Sequence, residues 1–82
     1  MEENVFTYKI ATHESVVHAQ LSALHRLLGR DVQYRLVLNR HQSSSTIQFQ
    51  APQSEEEVLR EHFGLAITRK DGLTWMPLEE AR

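Results

Sequence analysis

Histidine is the side chain here best suited to proton transfer or metal binding near neutral pH, and the chain carries five. His18 and His25 are seven residues apart. On a helix that spacing puts them on the same side but roughly 10 Å apart along the axis. One metal ion cannot span that gap without a third element between them. The i, i+4 spacing of a helical histidine pair is absent, as is any His-Glu-x-x-His pattern. The expectation is solvent-facing or rim histidines, with no metal site and no cofactor.

The other chemical constellations fall away in turn. Glu55-Glu56-Glu57 resembles a cation site, but its place at the start of a helical segment accounts for it through the helix dipole. The chain has no cysteine, which excludes thiolate metal sites, disulfides and thiol catalysis. No serine sits in a Gly-x-Ser-x-Gly elbow. The three glycines, Gly29, Gly64 and Gly72, are each explained as a helix stop or a turn, which leaves none for a phosphate loop. The sequence therefore argues against an enzyme and against nucleotide binding.

The elements that would position any working side chain follow from hydrophobic period. Val5–Ala11 alternates as a half-buried strand, with Phe6, Tyr8 and Ile10 on one side and Thr7 and Lys9 on the other. Thr12 can cap a first helix over His13–Leu28, where Val17, Leu21, Leu24 and Leu28 make one apolar stripe. Gly29 ends it. Val32–Asn39 alternates again, placing Val32, Tyr34, Leu36 and Leu38 opposite to Gln33, Arg35, Val37 and Asn39. The polar stretch over residues 39–45 reads as a mobile hairpin loop, too long for a tight turn. Thr46–Ala51 is a third strand. Ser54 and Glu57 fit a capping box for a short second helix with Val58, Leu59 and Phe63 on its apolar side. Leu65–Lys70, an Asp71-Gly72 turn and Leu73–Leu78 make a closing hairpin, with Pro77 marking an edge or an end. Residues 79–82 read as a polar tail.

This order, β-α-β-β-α-β plus a C-terminal hairpin strand, predicts an α+β two-layer sandwich of split β-α-β (ferredoxin-like) type spanning residues 1–82 as one domain. Crossover rules place the third strand between the first two, the fourth beyond the first, and the fifth beside the fourth. One sheet face takes both helices. The other is predicted to carry Thr7, Lys9, Gln33, Arg35, Val37, Gln48, Gln50 and Thr68, with no aromatic among them. Tyr34 and Leu36 are expected in the core beside Phe6, Tyr8, Ile47 and Phe49. That plan hosts many unrelated functions and names none.

Size and charge bound what remains. A chain of 82 residues builds a single thin core and has little volume to spare for a deep pocket. Net charge is −2 with histidines neutral, whereas nucleic-acid binders usually show a basic excess. The start, Met-Glu-Glu-Asn-Val-Phe, lacks the basic and apolar run of a signal peptide, and no apolar stretch approaches a membrane span. A cytoplasmic protein is the expectation. The leading functional reading is a non-catalytic protein-interaction module, an adaptor, inhibitor or accessory subunit, that binds another protein or a second copy of itself as a homodimer. Its working surface is the open sheet face or a strand edge, with Arg35, Val37, Gln48, Arg40, Lys9 and Trp75 as the candidate residues. The alternative is a nucleic-acid-binding accessory protein using Lys9, Arg35 and Arg40.

Overall fold

Segments of period-two alternation become the strands β1 (Val5–His13), β2 (Tyr34–Asn39), β3 (Ser44–Pro52), β4 (Ile67–Asp71) and β5 (Thr74–Pro77). The computed structural model describes residues 4–39 and 41–78. In it these strands form one antiparallel sheet in the order β2-β3-β1-β4-β5. Helices α1 (Val17–Leu28) and α2 (Glu56–Phe63) pack on one face of that sheet. The fully buried residues Tyr8, Ile10, Ile47 and Ile67 share the strand parity that meets Leu24 and Leu59 of the helices. Burying each such side chain stabilises the fold by about 1.5–3 kcal/mol, which is how two short helices are held on a thin sheet.

Several boundaries differ from the sequence expectation, each for a physical reason. β1 runs on to His13 because β3 begins at Ser44 and pairs with it. Thr12 is thereby held in the ladder and does not cap the helix. His13 takes that role: its Nδ1 accepts the Ser15 N–H at 3.1 Å and opens a single 3-10 turn, Glu14–Val16, before α1. The Glu14 N–H also donates to the Ser43 carbonyl. The expected long loop is correspondingly short. Ser44 and Ser45 belong to β3, and Ser45 is buried opposite Thr12. The Ser54–Glu57 capping box does not form. The chain enters α2 through a 3-10 turn, Gln53–Glu55, with no side-chain cap, and the three glutamates pair with arginines instead. Charge-assisted pairs with guanidinium groups outweigh a neutral local cap.

The remaining boundaries shift by one to three residues. Val32 is buried but lies before β2 rather than in it; its N–H donates to His25 Nδ1 at 2.9 Å. β4 starts at Ile67 after a 3-10 turn over Gly64–Ala66. The closing hairpin turns on Gly72-Leu73 rather than Asp71-Gly72, since Asp71 pairs with Thr74 and Gly72 supplies a φ of +66°. α1 ends as the sequence predicts: Gly29 takes a φ of +69°, and the Gly29 and Arg30 N–H groups close on the Arg26 and His25 carbonyls.

Candidate functional site

Among the described residues β2 pairs with β3 alone and leaves its outer backbone edge without a partner. All six of its residues are exposed on both faces of the sheet. Tyr34 and Leu36 are 47% and 38% exposed, Val37 and Leu38 47% and 57%, which corrects the expectation that Tyr34 and Leu36 lie in the core. Their parity is that of the core, since Tyr34 stands opposite Phe49 and Leu36 opposite Ile47. What is missing is cover. α1 spends its buried residues on the sheet interior and ends at Gly29, so the helix layer stops short of β2. The His25 ring, 6.3 Å from that of Tyr34, is its nearest approach to an aromatic of the strand. The opposite edge is unlike this one. β5 is four residues long and contains Pro77, which cannot donate to another strand.

The open face joins β2 to the rest of the sheet. Arg35 stands opposite Gln48, Gln48 opposite Lys9, and Lys9 opposite Thr68, in one line across four strands. Val37 lies beside this line, opposite Thr46. Trp75, paired with Lys70 at the far side, is also on this face, and the Lys9 Nζ lies 4.4 Å above its ring. The expectation of an open face without an aromatic is therefore corrected. Among the described strand residues, Arg35, Lys9 and Lys70 are the charged groups of this face, and no carboxylate accompanies them. Arg35 makes no ion pair among the described residues, whereas Arg30 is held by both oxygens of Glu55 at 2.6 and 2.8 Å. An open cleft of about 440 Å³ lies where the segment before β2 meets this face, with Asp31, Arg35, Gln48, Gln50 and Thr7 in its wall. Arg40 lies outside the described residues.

On the helix side Glu55, Glu56 and Glu57 are each paired with an arginine. Glu56 accepts the Tyr8 hydroxyl at 2.9 Å and Arg69 Nη1 at 2.6 Å, and Arg69 also lies over the Phe6 ring. Burial, then the hydrogen bond to Glu56, push the Tyr8 phenol above the usual tyrosine range. The hydrogen bonds that Arg69 and Arg30 donate to Glu56 and Glu55 hold both guanidinium groups still more firmly protonated. Guanidinium groups thus occupy the positions a cation would take. The histidines are dispersed: His25 accepts a backbone N–H, His13 caps a turn, and His18, His41 and His62 are exposed. No three His, Asp or Glu side chains among the described residues are placed to hold one metal ion. No described helix is long and apolar enough to cross a membrane.

No family model, curated protein or solved structure matches this chain. Of the residues singled out from sequence, Arg35, Gln48 and Lys9 fall on one line, Val37 adjoins it, and Trp75 touches Lys9 from the other side. Tyr34 and Leu36, expected in the core, stand at the surface, and Leu38 on the same side of the strand is exposed beside them. A signal for them is present in the sequence. Leu36-Val37-Leu38 is apolar on both parities, and the connection rules put this strand at an edge, where a single helix layer cannot cover both sides.

Proposed function

We propose that this chain is a non-catalytic protein-interaction module that binds by strand addition along β2, with Arg35, Val37, Gln48 and Lys9 on the adjoining open face setting specificity. The proposal includes the finer description of the fold as a ferredoxin-like split β-α-β unit extended by a hairpin strand. The observation that carries the function is the bare edge of β2. It has no proline and one charge in six residues, with Leu36, Val37 and Leu38 exposed. Natural sheets blunt such edges, because unpaired N–H and C=O groups beside apolar side chains recruit another strand. A partner strand would gain backbone hydrogen bonds and desolvate the apolar side chains on both faces together.

The test is the double substitution Arg35→Glu with Val37→Glu. Both side chains are exposed, so circular dichroism should show an unchanged fold. Association, whether with itself or another protein, should disappear, because two carboxylates would have to be desolvated in the contact. A folded variant with undiminished binding would move the working surface to the opposite end of the same face, around Trp75.

A second reading rests on one separate observation, the cationic open face with Lys9 over Trp75. Single-stranded nucleic acid binds to such a combination of cations and a stacking ring. Quenching of Trp75 fluorescence by an oligonucleotide, with affinity falling steeply as salt rises, would support it. An emission spectrum unaffected by the oligonucleotide at low salt would reject it.

A further inference from the structure

We propose that the strand β2 recruits is the β2 of a second copy, antiparallel about a two-fold axis that passes through Leu36. The inference rests on the strand-addition reading and names its partner. It is carried by the near-palindromic side-chain pattern of residues 33–39. Strands related by a two-fold axis normal to the sheet pair residues whose numbers sum to a constant even value, so each residue meets one on its own face. With Leu36 on the axis, Tyr34 meets Leu38 of the second copy, Leu36 meets Leu36, and Arg35 meets Val37. Just outside, the amide of Gln33 meets that of Asn39.

On the helix side, six exposed apolar side chains then close into one row. These residues have core parity but lack core cover in the single chain. On the open side each arginine stem lies along a valine and no like charges are directly opposed. Moving the axis to Arg35 would oppose two arginines. Moving it to Val37 would leave Tyr34 beyond the end of the opposing β2 and break the apolar row.

Symmetry also says where assembly stops. A two-fold contact consumes β2 from both copies, and the ends of the resulting ten-stranded sheet are both β5. That strand is short and carries Pro77. The association closes at two chains.

Single-cysteine variants give a direct test because the chain has no cysteine of its own. Under mild oxidation, Leu36→Cys should give a band at twice the 9.5 kDa chain mass. Arg35→Cys and Val37→Cys alone should not, since each would face its copy only diagonally, beyond disulfide reach. An equal mixture of the Arg35→Cys and Val37→Cys proteins should cross-link, because those positions are directly opposed. Leu36→Lys should leave the circular dichroism spectrum intact and raise the dissociation constant about 100-fold in sedimentation.

A wild-type chain that stays monomeric at every concentration would overturn the second copy as partner. Strand addition to a different protein would then still be judged separately, by the Arg35→Glu, Val37→Glu variant. Cross-linking of Val37→Cys in place of Leu36→Cys, or a dimer unaffected by Leu36→Lys, would overturn the proposed axis.

Discussion

At the scale of single residues, Glu56 joins the core to its rim. It accepts from the buried Tyr8 hydroxyl and from Arg69, whose buried Nε has no partner among the described residues. Glu56→Ala should therefore cost on the order of 2–3 kcal/mol in denaturant unfolding, because it leaves the Tyr8 hydroxyl without its acceptor and Arg69 with only the longer contact to Asp71 at 3.6 Å. An effect of a few tenths would show that water replaces the carboxylate freely. The raised Tyr8 pKa makes a pH prediction. The phenol in the unfolded chain titrates near 10.0, and in the folded chain above that. Its contribution to stability is thus complete below pH 10 and is lost as the pH rises from there through the folded value. Thermal stability of the wild type should fall more steeply above pH 10 than that of Tyr8→Phe. Parallel profiles would show that the phenol's environment does not differ between the two states.

At the scale of elements, α1 is held by its apolar stripe, and Leu24, fully buried, is its centre. Leu24→Ala should cost roughly 2–5 kcal/mol, enough to unfold much of so small a domain. An unchanged melting temperature would contradict its place in the core. β2 makes a different prediction for hydrogen exchange. Only every second amide of this strand can reach β3. In dilute solution protection should alternate along Tyr34–Asn39, and uniform protection there would signal a partner already on the edge. These elements also mark how far the sequence could be read. Alternation in Phe6–Ile10 and Tyr34–Leu38 assigned the correct face of the sheet to each side chain. It could not tell that Leu36 would be exposed, because parity specifies a face and not how far a helix reaches over it. The capping signals at Thr12 and Ser54 misled for a related reason. Each is a local preference: the pairing of His13 with Ser44 overrode the first, and in the second Glu57 pairs with Arg60 one turn on while Glu55 and Glu56 pair with arginines of other elements. Arg35, Gln48 and Lys9 were legible as open-face residues from period alone. The contact of Trp75 with Lys9 depends on the order of β1, β4 and β5 and the tilt of two long side chains.

At the scale of the whole molecule, the two sheet edges set the behaviour. If the bare edge closes on a second copy, unfolding and dissociation are linked, and the melting temperature should rise with protein concentration in the wild type but not in Leu36→Lys. A concentration-independent transition in both would leave the apolar edge of β2 to a different protein. The position of β1 in the middle of the sheet has another consequence, in the order of synthesis. β1 is made before both of its neighbours, β3 and β4, and the register with β4 is not available until Ile67 has been added. Until then β1 has at best one neighbour. As this domain emerges from the ribosome, Tyr8 and Ile10 lack the full cover of the sheet until Ile67 has been added. A stalled product ending before α2 would present two unfinished sheet margins instead of one, and would be a target for holding chaperones until its last strands arrive.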